Sequence, residues 1–172
     1  TRLRCDWSSD VCSSDLLGIF ANRSNTIIEG FTFRNFQTWH HSTGVDIRAE
    51  NVIVRNCKAW NCSSGFIFAD SSVKCRVENC RVDDCGTGVR SVGKDSDIID
   101  SQFFKRRDRF IVPTYQQGDS GIIYYGASGK CLVRGNLVRG FHNAIFLKTS
   151  GDYTAEHNTI LEIGRASCRE RV

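Results

Sequence analysis

The sequence predicts an all-β solenoid, short parallel strands wound into a coil whose turns stack on one another. The first observation is an internal repeat. Residues 51–68 read NVIVRNCKAWNCSSGFIF, and residues 74–92 read KCRVENCRVDDCGTGVRSV. With Asn56 laid on Asn79, Cys57 falls on Cys80, Ala59 on Val82, Cys62 on Cys85 and Gly65 on Gly88. A short period of this kind marks one structural unit stacked on copies of itself. The second observation is a column of bend residues: Gly30, Asn56, Asn79, Asp100, Gly135 and His157. Gly, Asn and Asp tolerate the left-handed backbone that a one-residue corner between two strands requires; His157 departs from that pattern. The third is spacing. A further strand starts nine residues after the bend in the second, third and fifth units.

Each unit supplies the same three strands in order. Before the bend come TIIE from Thr26, VIVR from Val52, CRVE from Cys75, DII from Asp97 and CLVR from Cys131. After it come FTF from Phe31, CKA from Cys57, CRV from Cys80, SQF from Ser101, NLV from Asn136 and NTI from Asn158. The third strand begins at Gly44, Gly65, Gly88, Gly121 and Ala144. Strand side chains alternate between faces. The apolar positions Ile28, Val54, Val77 and Val133, with Phe33, Ala59, Val82, Phe103 and Val138, therefore point inward and stack into one core. No helical segment of the length that a doubly wound α/β fold needs lies between these strands. A β-sandwich would supply turn signals but not this columnar register.

The two ends stand apart from the repeat. Residues 1–16 end in DWSSDVCSSDL and the tail ends in IGRASCRERV; both resemble translated sequencing-library adapters. Residues 1–16 and 162–172 are accordingly set aside as non-native, and residues 17–161 form one domain, about six rungs of a chain expected to continue in both directions. That domain holds 18 Lys and Arg against 14 Asp and Glu, a mildly basic balance that suits an acidic polysaccharide and is equally ordinary for a soluble domain. No stretch is long and apolar enough to span a membrane, and no signal peptide is visible. Open rungs at both ends would invite end-to-end self-association.

Six cysteines lie within the domain. The spacing of Cys57, Cys62, Cys75, Cys80 and Cys85 superficially suggests zinc. Column membership gives a plainer reading. Cys57 and Cys80, Cys62 and Cys85, and Cys75 and Cys131 occupy equivalent points of different units, so they stack along the axis as small buried hydrophobes instead of converging on a metal. A Cys62–Cys85 disulfide is geometrically allowed between stacked neighbours.

The Asn/Gly bend followed by a Cys/Ser/Asn column resembles the right-handed single-stranded parallel β-helix, the pectate-lyase-like repeat, over nearly all of residues 17–161. The resemblance implies that the third strand of each unit builds the first sheet, which floors the substrate groove in polysaccharide-processing relatives. It also implies a secreted, periplasmic or cell-surface protein. Such lyases abstract a proton alpha to a uronate with a basic side chain, often beside calcium; no clear calcium site is visible in this sequence.

Two units break the nine-residue spacing at the same turn. The first gap is fourteen residues and carries QTWHHST from Gln37; the fourth is twenty-one and carries KRRDRFIVPTYQQGDS from Lys105. Insertions on one side of a solenoid mark a binding face, or are simply tolerated loops. Between them lie the outward residues of the first sheet: Asp46, Ile67, Arg90, Ile123 and Phe146, with Arg48, Tyr125 and Lys148 two positions further. Sugars are held by aromatic faces and charged hydrogen-bonders, and uronates favour Arg. Candidate catalytic bases are His40, His41, Arg90 and Lys148. Candidate substrate-binding residues are Trp39, Asp46, Arg48, Arg106, Arg107, Tyr115, Tyr125 and Phe146.

Other motifs read more plainly as surface. Asp83 and Asp84 are a polar turn before they are a hydrolytic pair. The KRRDR run lacks interleaved aromatics for nucleic acid apart from Phe110, so no nucleic-acid partner is expected. GASGK at Gly126 fails the phosphate-loop spacing. The chain is thus expected to bind, and as lyase or hydrolase to cleave, an anionic polysaccharide along the first sheet. The competing expectation is a non-catalytic adhesin, tail-spike or spacer module, and the fold alone does not choose between them.

Overall fold

A computed structural model describes residues 2–4, 18–36, 42–106, 119–126, 129–148 and 151–161, the first of these as backbone only. The described residues form strands and no helix. Strands β2 (Ile19–Ala21), β3 (Ile27–Glu29) and β4 (Thr32–Arg34) make the first coil. The triplet recurs as β5 (Thr43–Ile47), β6 (Ile53–Arg55) and β7 (Lys58–Trp60), then β8 (Ser64–Phe68), β9 (Arg76–Glu78) and β10 (Arg81–Asp83). It continues as β11 (Thr87–Ser91), β12 (Asp97–Ile99) and β13 (Gln102–Phe104), then β14 (Ser120–Tyr125), β15 (Lys130–Arg134) and β16 (Leu137–Arg139). The last coil is β17 (Asn143–Lys148), β18 (Asp152–Glu156) and β19 (Thr159–Leu161).

Every strand pairs in parallel with its counterpart one coil away. The first sheet runs β2-β5-β8-β11-β14-β17, the second β3-β6-β9-β12-β15-β18 and the third β4-β7-β10-β13-β16-β19. Strand β1 (Arg2–Arg4) adds to the outer edge of β3, so part of the adapter-like leader lies against the second sheet. An open strand edge is a template for any extended segment. The register stacks Val54 on Val77 and Ala59 on Val82, as the repeat predicts.

Left-handed corners, three in most coils, turn the chain. The predicted bend column is left-handed throughout, from Gly30 (φ 79°) and Asn56 (φ 53°) to His157 (φ 53°). Two further columns are left-handed as well: Asn25, Asn51, Lys74 and Asp95 ahead of the second sheet, and Asn35, Asn61, Asp84 and Gly140 after the third. Outside, the corner amides stack, with Asn51 Nδ2 donating to Asn25 Oδ1 over 2.7 Å and Asn61 Nδ2 to Asn35 Oδ1 over 2.9 Å. Inside, the residue following each corner turns its N–H away from solvent. A side chain of the next coil accepts it: Val52 N–H to Cys75 Sγ, Cys62 N–H to Cys85 Sγ, Cys80 N–H to Ser101 Oγ, Ser101 N–H to Asn136 Oδ1 and Asn136 N–H to Asn158 Oδ1. The same side chains donate back to carbonyls, as Asn136 Nδ2 does to Ile98 O over 2.9 Å. A buried donor left without an acceptor costs about 1–3 kcal/mol, so these positions select Cys, Ser or Asn.

The cysteines are therefore polar fittings of the corners as well as fillers of the core. The six domain thiols are free and buried, and no disulfide joins Cys62 to Cys85. Burial pushes the Cys80 and Cys85 thiols well up, with the stacked neighbour adding to the rise. The hydrogen bond from that neighbour holds Cys57 and Cys62 below the ordinary thiol value.

Between the corners the core is apolar and closed to solvent. Val54, Val77, Ala59, Val82, Phe66, Val89 and Ile122 are all 0% exposed. Each aliphatic of this kind contributes about 1.5–3 kcal/mol on burial. Ile145 is half-buried and packs against this core. Tyr124 is buried among these side chains, its hydroxyl donating to Ser96 O over 2.9 Å, and burial pushes its phenol well up.

The glycines that open the first-sheet strands have a packing cause. A Cβ on Gly65 would lie 2.6 Å from Gly88 O and 2.9 Å from Val82 Cγ2. The column is free of side chains because the first and third sheets meet at this corner with backbone from the next coil directly overhead. Gly65→Ala is expected to lower stability by about 1–3 kcal/mol through overpacking. Urea unfolding measures it, and an unchanged midpoint contradicts the close approach.

Candidate functional site

The outward face of the first sheet is built by register. Pairing aligns Phe20, Asp46, Ile67, Arg90, Ile123 and Phe146 in one column that runs along the coil axis. Tyr125 aligns with Lys148 two positions further along the strands. Inward neighbours Val45, Phe66, Val89 and Ile122 are fully buried, which fixes the outward direction of the column.

The column is less open than its alternation predicts. Asp46 is 5% exposed and Ile123 is 1% exposed although both lie on the outward side. Alternation decides which side of a sheet a residue takes, not whether that side meets water. Ile67 and Phe146 are half-buried, and Arg90 is exposed. Asp46 Oδ2 accepts from Arg48 Nε at 3.0 Å and from Nη2 at 2.9 Å, while its buried Oδ1 has no hydrogen-bond partner among the described residues. The Asp46 carboxylate raises the Arg48 guanidinium above its ordinary value. The Arg48 guanidinium also lies 5.1 Å over the Phe20 ring, and Lys148 Nζ lies 5.1 Å over the Tyr125 ring. Arg90 differs from both: among the described residues neither an ion pair nor a ring lies against its guanidinium.

Of the residues singled out from sequence, the fold brings Asp46, Arg48, Arg90, Tyr125, Phe146 and Lys148 onto this face. Trp39, His40, His41, Arg107 and Tyr115 lie outside the described residues, as do most residues of both insertions. Arg106 is committed elsewhere. Its guanidinium holds Asp84 Oδ2 through Nε at 2.8 Å and Nη2 at 2.6 Å, and its backbone N–H donates to Asp84 Oδ1 at 3.0 Å. Asp84 is a buried left-handed corner residue, so Arg106 neutralises a carboxylate the corner requires. Lys105 likewise pairs with Asp119 at 2.6 Å. The adjacent aspartates serve different cations, since Asp83 takes Arg81 at 2.8 Å and Lys58 at 3.3 Å.

Among the described residues, no three His, Cys, Asp or Glu side chains are grouped to hold an ion. The thiols stack one per coil, and Asp46, the carboxylate of the outward column, is already bound to Arg48. A concavity of about 550 Å³ lies on the outer face of the second sheet and was not foreseen from sequence. The signal existed: Lys74 and Asp95 are members of the corner column that starts at Asn25.

The two arginines separate by substitution. Arg106→Ala leaves the buried Asp84 carboxylate short of its cation and is expected to cost about 1–2 kcal/mol, discounted for the exposure of the guanidinium. Arg90→Ala is expected to stay within about 0.5 kcal/mol. Urea unfolding of both variants checks the contrast, and equal effects contradict it.

Residues 8–160 match the family described as "Right handed beta helix region". No curated protein and no solved structure matches the chain. The match spans most of the chain, and coil, corner and sheet order agree with it: the chain belongs to the right-handed β-helix family.

Proposed function

We propose that this protein binds an extended anionic polysaccharide along the outward face of the first sheet. The observation that carries the reading is Arg90. It stands exposed near the middle of the column, flanked by Ile67 and Ile123, without an ion-pair partner among the described residues. A guanidinium in that setting suits a carboxylate through two parallel hydrogen bonds. Arg48 and Lys148 add cations two coils to either side, about 10 Å away at ordinary strand spacing. A polymer with a carboxylate on each unit meets such a row repeatedly, and the exposed Phe20 ring and half-buried Phe146 offer apolar faces for sugar rings. Such a ligand suits a protein that is secreted, periplasmic or on the cell surface. If cleavage accompanies binding, Arg90 and Lys148 are the described side chains on this face able to take the proton alpha to the uronate. No step is assigned to calcium.

Affinity electrophoresis through polygalacturonate tests the binding. The wild-type protein is expected to be retarded, less so as salt rises, and unaffected by neutral dextran. Arg90→Ala is expected to weaken retardation by at least about tenfold. Equal retardation of both proteins, or none of either, overturns the proposal. Ultraviolet detection of unsaturated uronate separates the two activities. Its release assigns a lyase; binding without any cleavage product assigns a non-catalytic module.

A further inference from the structure

The corner between the third and first sheets carries a stacked pair of thiols. Trp60 registers with Asp83 and Ser64 with Thr87, which sets Cys62 against Cys85 in successive coils. Ordinary strand spacing puts their Cα atoms about 4.8 Å apart, inside the range a disulfide spans. Cys62 N–H donates to Cys85 Sγ at 3.4 Å, so the Cys85 sulfur lies against the Cys62 backbone. Both residues sit between strands, outside the sheet ladders.

The pair is asymmetric. The Cys85 thiol donates to Cys62 and favours its thiolate, while burial, with that neighbour adding to it, keeps Cys85 protonated. Both are 0% exposed, but Cys62 lies in the chain between two half-buried residues, Asn61 and Ser63. Local opening of such a corner admits a small reagent.

The ends of both insertions are tied to this corner. Ser63 N–H donates to Phe36 O at 2.7 Å and Ser64 N–H to Ser42 O at 3.1 Å, so the residues after Cys62 hold both ends of the first. Asp84 holds Arg106, and Gly86 O accepts Asp119 N–H at 2.9 Å, so the residues flanking Cys85 hold both ends of the second. Gly86 N–H donates to Cys62 O and Thr87 N–H to Ser63 O, both at 3.0 Å, which stacks one anchor on the other.

We propose that Cys62 and Cys85 form a redox site, a dithiol that a small peroxide converts to a disulfide, bracing the two anchors against each other. The Cys62 thiolate attacks one oxygen of hydrogen peroxide. An S–O bond forms, the O–O bond breaks, and hydroxide leaves and takes up the proton Cys62 has lost. The Cys85 sulfur then attacks the Cys62 sulfenic acid. The S–S bond forms, the S–O bond breaks, and the hydroxyl leaves with the Cys85 proton as water. Two thiols are oxidised by two electrons and the peroxide is reduced to two waters. The site does not depend on the polysaccharide reading, because it shares no residue with the first-sheet column.

Tryptic mapping of the reduced full chain, before and after hydrogen peroxide, tests it. Residues 59–74 and 82–90 form separate peptides with one cysteine each. The expected product joins these two peptides, lacks the two thiol hydrogens and reverts with dithiothreitol. Hydrogen exchange at Gly86 and Thr87 is expected to slow by at least about tenfold on oxidation, relative to Val54. Cys62→Ser keeps a corner side chain that donates and accepts, and is expected to lose both the product and the slowing; Cys85→Ser serves if that variant fails to fold. Absence of the joined peptides, sulfinic acid in their place, or pairing of either thiol with another cysteine overturns the site. A cross-link that leaves exchange at Gly86 and Thr87 unchanged overturns the brace.

Discussion

The corner N–H is the constraint from which this fold follows. A coil of three strands must turn three times, and each turn rotates a backbone donor into an apolar core. Such a donor must find an acceptor, and the only neighbour at the right height is the following coil. Cys80 N–H meets Ser101 Oγ at 3.1 Å, Ser101 N–H meets Asn136 Oδ1 at 3.0 Å and Asn136 N–H meets Asn158 Oδ1 at 3.0 Å. Each coil thereby completes the one before it. Stability is then carried by nearest-neighbour contacts along the axis, as in other repeat architectures.

That arrangement leaves the outer faces free to vary. Inward columns must stay apolar and corners must stay left-handed, but outward residues answer to no such demand. On the second sheet they form a lattice of ion pairs, Arg55 with Glu29 at 3.3 Å and Arg76 with Asp97 at 3.1 Å. On the first sheet they form a row of cations, rings and one buried carboxylate. The difference between the faces is chemical and not architectural: the cations of the second sheet are largely paired, whereas Arg90 on the first is not joined to any carboxylate among the described residues.

Much of this was legible in the residues. The Asn56–Asn79 alignment located one corner column, and that column fixed strand order, register and the inward positions. The other two columns were harder to see, because Lys74 stands in one and the other skips the fourth coil, where no left-handed residue directly follows the third strand. Asn61, Asp84 and Asn51 nevertheless carried the same left-handed signal. The cysteines were read as small hydrophobes; their second role, accepting corner N–H groups, needs the height of the next coil and is invisible in a single repeat. Asp46 and Ile123 were placed on the correct side of the sheet, but exposure depends on what packs above it. The pairing of Arg106 with Asp84 joins residues 22 apart and arises only from stacking. The proposed roles of His40, His41 and Trp39 rest on residues outside those described.

Native-state hydrogen exchange at the Ser101 amide tests the corner constraint most directly. Asn136→Ala removes the acceptor of that amide and the donor to Ile98 O. Exchange at Ser101 is expected to accelerate far more than at Val54, and global stability to fall by about 1–3 kcal/mol. Unchanged protection at Ser101, with an unfolding midpoint equal to that of the parent protein, would contradict the account.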